Sequence, residues 1–75
     1  MTAARQPLSG GPWMPVDDWV SVVGRQVRVY RNGVQIDCGQ VDAVTDGGGI
    51  LWLMQDGAHP RRIVEKVLGV ELHLA

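Results

Sequence analysis

The fold is decided by residues 25–44, which read RQVRVYRNGVQIDCGQVDAV. Up to Arg31 the stretch is rich in valine and tyrosine, and alternation places Val27 and Val29 on one strand face. Asn32-Gly33 follows, and this dipeptide is the strongest short hairpin signal because both central residues of a type I′ turn need positive φ. The stretch therefore predicts two antiparallel strands, 25–31 and 34–44, joined by a tight turn.

Three more strands are predicted after residue 49. They are Ile50–Gln55, Arg61–Leu68 and Val70–Leu74, each bounded by glycine or proline. Gly39, inside the second strand, indicates a bulge or a sharp bend. A flat sheet of five short strands would leave two long open edges. The predicted fold is therefore all-β, a five-stranded and strongly bent antiparallel barrel.

Length, charge and cysteine content narrow the class of protein. The chain has 75 residues, enough for one domain, and Cys38 as its single cysteine excludes an intramolecular disulfide. With 7 basic and 8 acidic residues, the net charge of −1 excludes a nucleic-acid binder driven by bulk charge. No apolar run approaches the ~20 residues of a membrane span, and the start shows no signal peptide. We therefore expect a soluble cytoplasmic protein without a membrane partner.

Residues 1–15 are predicted to form a flexible N-terminal arm in front of a single barrel domain, residues 16–75. The arm contains three of the four prolines and no hydrophobic period. Trp13 is its largest apolar side chain. Two interpretations of Trp13 remain open: it folds back over an apolar patch of the barrel, or it binds a partner.

A short helix is predicted between the arm and the first strand. Asp17 or Asp18 provides its N-terminal cap, and Gly24 ends it after about two turns. A helix of that length is not stable alone, so it must dock on the domain.

Four features of the sequence carry a resemblance to a known family. The predicted helix leads into residues 23–29, Val-Gly-Arg-Gln-Val-Arg-Val, Gly33 lies in the first hairpin, and residues 39–44 form a glycine-led bend. Residues 67–74 place Gly69 between the last two strands. This order resembles the Sm-like (Lsm-type) small β-barrels over residues 16–75, and the pattern also fits SH3-like barrels. The resemblance implies RNA binding and ring assembly, in which strand four of one copy pairs with strand five of the next.

Two departures from the Sm-like pattern concern the RNA-binding side chains. The stretch 42–49 contains no asparagine, and Leu68 stands where the family has an arginine before its second-signature glycine. Both departures remove side chains that the resemblance would assign to holding a base. The resemblance therefore predicts the fold more strongly than the function.

The sequence predicts no catalytic residue, no metal site and no cofactor. Cys38 lies within a strand pattern and is interpreted as a small buried core residue. His59 and His73 lack the spacing from Cys38 or Glu71 that is typical of zinc ligands. The triple glycine 47–49 is not followed by the Gly-Lys-Ser/Thr of a phosphate-binding loop. We therefore expect a non-enzymatic protein.

Protein–protein association, with a homo-oligomer as one form of it, is the first functional hypothesis. Alternation in residues 50–54 places Ile50, Trp52 and Met54 on one face, which is either covered by the helix and arm or exposed as an association patch. The last two strands are apolar enough to pair with a second copy. The predicted association residues are Trp13, Ile50, Trp52, Met54, Ile63, Val64, Val70 and Leu72.

RNA binding is the alternative hypothesis. Arg28 and Tyr30 share a strand face on which the ring would stack a base and the guanidinium would contact a phosphate, and Arg61 and Arg62 lie at the entrance to the fourth strand. The same residues also fit an ordinary solvated face. A ligand-binding pocket is a third hypothesis, kept only because barrels can host ligands.

Overall fold

The computed structural model describes residues 13–74, which form one antiparallel sheet of six strands. The strands are β1 (Met14–Val16), β2 (Gln26–Arg31), β3 (Val34–Val44), β4 (Ile50–Leu53), β5 (Arg62–Glu65) and β6 (Val70–Leu74). Their order in the sheet is β1-β6-β2-β3-β4-β5. The prediction of an all-β fold is confirmed.

The sheet differs from the predicted five-stranded barrel in strand number and in closure. β1 is an additional strand, and among the described strands β1 and β5 each have only one neighbour, so the sheet stays open. The predicted boundary between the arm and the barrel domain, between residues 15 and 16, falls within β1. Residues 1–12 of the predicted arm lie outside the described part. The register of β1 places Val16 opposite Leu72, and Val16 packs against the core. Burial of this apolar side chain favours the additional pairing.

A single 3₁₀ helix, Trp19–Val22, stands where a helix of two turns was predicted. Asp18 caps it as expected, since its carboxylate accepts a hydrogen bond from the Val20 N–H at 3.2 Å. The run of β-branched valines disfavours a longer α-helix. Gly24, with φ of +83°, ends the segment and donates its N–H to the Val41 carbonyl at 2.9 Å. The chain therefore passes directly from this turn into the sheet.

The hydrophobic core lies on the concave side of the sheet. Alternate residues of the strands point into it, as the pattern of β2 and β4 predicted. The 3₁₀ helix adds its first and last residues. The fully buried side chains are Trp19, Val22, Val27, Val29, Val41, Leu51, Leu53 and Leu72, with Val16, Val44, Val64, Val70 and Leu74 partly buried against them.

The long strand β3 bends so that its two halves pair with different neighbours. Residues 34–40 pair with β2, and residues from Val41 to Val44 pair with β4. Gly39 lies just before the change of partner, as predicted for a bend. A Cβ atom at this position would lie 3.4 Å from an Arg62 side-chain nitrogen and 3.8 Å from Leu53. The absence of a side chain at Gly39 therefore leaves room for Arg62 of β5 and Leu53 of β4 on the concave side.

The Asn32-Gly33 turn has the predicted backbone conformation, with φ of +50° and +83°. The turn also contacts the connection between β5 and β6, because the Asn32 N–H donates to the Gly69 carbonyl at 2.8 Å. Gly69 has φ of +90°, and a Cβ atom there would lie 2.5 Å from Oδ1 of Asn32. Gly69 therefore permits both its own turn and the contact with the hairpin.

We predict that Gly69→Ala destabilises the protein by about 1–3 kcal/mol, because the side chain is strained at positive φ and collides with Asn32. Urea unfolding measures the change. Gly47→Ala is the matched control, since nothing lies within 4 Å of a Cβ at that position. An equal loss of stability in both variants would contradict the proposed contact.

Candidate interaction surfaces

A bidentate ion pair joins β5 to the first half of β3. The Arg62 guanidinium donates from Nε to Oδ2 of Asp37 at 2.7 Å and from Nη2 to Oδ1 at 2.8 Å. Its remaining N–H groups donate to the carbonyls of Cys38 at 2.9 Å, Pro60 at 3.0 Å and Met54 at 3.3 Å. All five N–H groups of the guanidinium are therefore used within the fold. The hydrogen bonds between the two side chains hold the pKa of Asp37 below its usual value and raise the pKa of Arg62.

A register shift in the β2–β3 hairpin explains how Asp37 reaches Arg62. The shift falls between Val29 and Tyr30, so Asp37 pairs with Val29, whose side chain is in the core, and Cys38 pairs with Arg28 on the convex side. Cys38 is consequently exposed, and its prediction as a buried core residue is wrong. The bulge reverses the alternation that the sequence pattern assumed.

Arg61 and Arg62 do not form a common surface with Arg28 and Tyr30. Nε of Arg61 donates to Oδ2 of Asp42 at 2.6 Å, and its guanidinium lies 5.3 Å from the centre of the Trp52 ring. Arg61 thus covers part of Trp52, while the Arg62 guanidinium is fully hydrogen-bonded within the protein. The predicted nucleic-acid residues are divided between two sides of the molecule.

Arg28 and Tyr30 instead meet Trp13 and His73 on the convex side of β1, β6 and β2. The Arg28 guanidinium lies 4.1 Å from the centre of the Trp13 ring, and the Tyr30 and His73 rings are 4.1 Å apart at an interplanar angle of 32°. Nε2 of His73 also lies 3.3 Å from Oε1 of Glu71. We call the four residues Trp13, Arg28, Tyr30 and His73 the aromatic face. Trp13 thus lies against a cation and not over an apolar patch, which was the first of its two predicted interpretations.

His73 is a member of the aromatic face that sequence reasoning missed. Alternation in β6 correctly indicated that His73 points away from Leu72. Its position beside Tyr30 depends on the pairing of β6 with β2, in which Arg28 lies opposite His73. That pairing joins the two ends of the domain, and no local pattern reports it.

Ile50, Trp52 and Ile63 form an apolar strip on the convex side of β4 and β5. Trp52 lies opposite Ile63 in the register, and Ile50 is on the same face of β4. The 3₁₀ helix does not cover this strip, because it places Trp19 in the core on the other side of the sheet. Ile63 is 54% exposed. We call these three residues the β4–β5 strip.

The other predicted association residues lie elsewhere. Met54 follows the end of β4 and is exposed, while Leu72 is fully buried. Val64 and Val70 pack against the core. Of the predicted set, the structure thus brings together Ile50, Trp52 and Ile63.

β5 presents open backbone groups beside the β4–β5 strip. The Lys66 N–H donates to the Gly49 carbonyl at 2.8 Å, which continues the ladder between β4 and β5. Since alternate residues of an antiparallel strand direct their backbone groups to opposite edges, Arg62 and Val64 face β4 like Lys66, whereas Ile63 and Glu65 face outward. The Glu65 carbonyl accepts a hydrogen bond from the Val67 N–H at 3.0 Å, so the open groups are the N–H and carbonyl of Ile63 and the N–H of Glu65. A groove of about 240 Å³ borders β5, and apolar residues such as Ile36 and Val67 line it together with the charged Arg31, Asp37 and Glu65.

No protein-family model, curated protein or solved structure matches the chain. The resemblance to the Sm-like family stays a prediction from the sequence pattern. β6, the predicted strand five, is paired with β1 on one side and β2 on the other. Ring assembly by pairing of strands four and five would therefore require β1 to leave β6.

Two negative findings concern the described part of the chain. Residues 13–74 contain no group of three or more His, Cys, Asp or Glu placed to hold a metal ion. The same residues contain no helix with the length and apolar character needed to cross a membrane.

We predict that Arg62→Ala costs about 2–4 kcal/mol of stability, because it removes five hydrogen bonds and leaves Asp37 without its counter-ion at the edge of the core. Urea unfolding at pH 7 measures the loss. Arg61→Ala is the matched control and should cost less than about 1 kcal/mol, since its ion pair with Asp42 is more exposed. Similar losses in the two variants would show that Arg62 does not hold the sheet together.

Proposed function

We propose that the protein is a cytoplasmic, non-enzymatic module that binds another protein chain through β5 and the β4–β5 strip. The observation that carries the proposal is the combination, on one edge strand, of outward backbone groups with an exposed Ile63. An open strand edge accepts a partner strand by backbone hydrogen bonding, and the side chains beside it provide specificity. The single cysteine fits a reducing compartment.

The surroundings of the strip also favour a protein partner. Arg61 and Glu65 flank Ile63 along the chain, so a charged rim surrounds an apolar centre, an arrangement common in protein interfaces. The opposite edge of the described sheet is less suited to pairing. β1 has three residues, and Pro15 at its middle lacks a backbone N–H.

We predict that a photocrosslinking residue, p-benzoylphenylalanine, in place of Ile63 yields a discrete protein–protein adduct in the cells that produce this protein. The expected adduct follows from the exposed position of Ile63 on the open edge. The control carries the same residue in place of Val23, which is 51% exposed next to the 3₁₀ helix. Adducts of equal yield at both positions, or none at position 63, would contradict binding through β5.

Single-stranded RNA binding at the aromatic face is a second candidate function, which we propose on a separate observation. Three rings and the Arg28 guanidinium lie on one convex surface, with separations of 4.1 Å within each stacked pair. Aromatic side chains on a sheet can stack successive bases while arginine contacts the backbone. Glu71 beside His73 opposes this function by placing a negative charge at the margin.

We predict that, if the aromatic face binds RNA, a labelled oligouridine of 15 nucleotides binds with an affinity that falls steeply with added salt. Fluorescence anisotropy measures binding. Arg28→Glu should abolish it, whereas Arg25→Glu, which makes the same charge change outside the aromatic face, should weaken it only slightly. Binding that is insensitive to salt, or equally reduced by the two variants, would exclude this site.

A further inference from the structure

We infer that the chain bound at β5 is a second copy of this protein, paired antiparallel, β5 against β5, about a twofold axis at Ile63. This inference rests on the proposed function, because it names the partner of the same edge. The resulting dimer would be closed, with both copies using the same surface.

The edges of the described sheet favour pairing of β5 with itself. β6 has neighbours on both sides, so it offers no free edge. Pairing of β5 with β1 of a second copy would be head-to-tail, and it would rely on a three-residue strand that contains Pro15. Pairing of β5 with β5 uses the better edge twice and closes after two copies.

The faces of the strand restrict the possible registers. A twofold axis perpendicular to the sheet keeps the convex side of both copies on the same side. Residues that lie opposite each other must therefore point to the same face, which places the axis at a residue and never between two residues. The two central positions of β5, Ile63 and Val64, are the candidate axes.

Charge complementarity selects Ile63. With the axis at Ile63, Arg61 of each copy lies opposite Glu65 of the other, and the two Ile63 side chains meet. With the axis at Val64, Arg62 lies opposite Lys66 of the other copy, which places like charges in a direct cross-strand pair. Opposite charges in such pairs stabilise a sheet and like charges destabilise it.

Glu65 is available for the contact. Among the described residues, the ion pairs are Arg61–Asp42, Arg62–Asp37, Lys66–Asp17 and His73–Glu71, so the Glu65 carboxylate takes part in none. Arg61 uses Nε for Asp42, which leaves its terminal nitrogens for a second carboxylate. The contact between the two Ile63 side chains would join the β4–β5 strips of the two copies into one apolar surface.

Disulfide trapping tests the axis directly, in a Cys38→Ser background that removes the native exposed thiol. Opposite residues of a hydrogen-bonded antiparallel pair have Cα atoms about 5.5 Å apart, within disulfide range. Ile63→Cys should therefore give a covalent dimer under mild oxidation. Glu65→Cys is the matched control and should not, because its two copies would lie roughly 13 Å apart along the strands.

A charge exchange tests the register without a covalent bond. Arg61→Glu and Glu65→Arg should each weaken dimerisation by about tenfold, because each change places like charges opposite each other twice. The double variant should restore dimerisation close to that of the unmodified protein. Light scattering over a range of concentrations measures the association. If Arg61→Glu acted only through the loss of its contacts with Asp42 and Trp52, adding Glu65→Arg would not restore dimerisation.

The outcomes separate this inference from the proposed function. A protein that stays monomeric at millimolar concentration, and whose Ile63→Cys variant gives no covalent dimer, overturns the second copy as partner. In that case an adduct between position 63 and a different protein leaves the proposed function standing, whereas the absence of any adduct overturns both. A covalent dimer of the Glu65→Cys variant, or a double charge variant that stays monomeric, overturns the Ile63 register.

Discussion

The ion pair between Arg62 and Asp37 joins β5 to β3, two strands of the open sheet that no backbone ladder connects. β5 has β4 as its only strand neighbour in the described structure, yet the chain curls until Arg62 reaches β3 across the open seam. Three hydrogen bonds from one guanidinium, two to Asp37 and one to the Cys38 carbonyl, then take the place of a strand pairing. Gly39 permits this approach, because a side chain there would compete for the space of the guanidinium.

Closure by a side chain has a consequence for function. A backbone ladder across the seam would use the outward N–H and carbonyl of Ile63 and the N–H of Glu65, whereas an ion pair leaves these groups open. β5 therefore remains an open edge of the described sheet, and the β4–β5 strip beside it gives that edge a side-chain surface. The other edge of the described sheet is short and contains Pro15, so the proposed pairing through β5 would give a limited assembly. The aromatic face on the convex side is separate from this edge and supports the second candidate function.

Much of the strand arrangement could be predicted, because the signals are local. The bounds 34–44 and 70–74 agree with the structure, as does the positive φ of the Asn32-Gly33 turn. The predictions that differ from the structure concern β1, the closure of the barrel, the ends of β4 and β5, the length of the helix and the burial of Cys38. β1 forms only because β6 offers an edge, and Cys38 is exposed only because a bulge shifts the register of the hairpin. Neither the free edge of β6 nor the bulge can be recognised from the alternation of apolar and polar residues in β1 or β3.

The sequence by itself determined an all-β chain with tight turns, a bend near Gly39 and a valine and leucine core, since alternation and turn conformation depend on neighbouring residues. Only the tertiary structure decided which side chains meet. Arg62 and Asp37 are 25 residues apart in the chain, and the aromatic face joins residues from β2, β6 and the segment before β1. Such contacts are set by strand order and register. Strand order and register depend on the burial of the whole core. Because every strand contributes to that burial, no single segment of the sequence determines them.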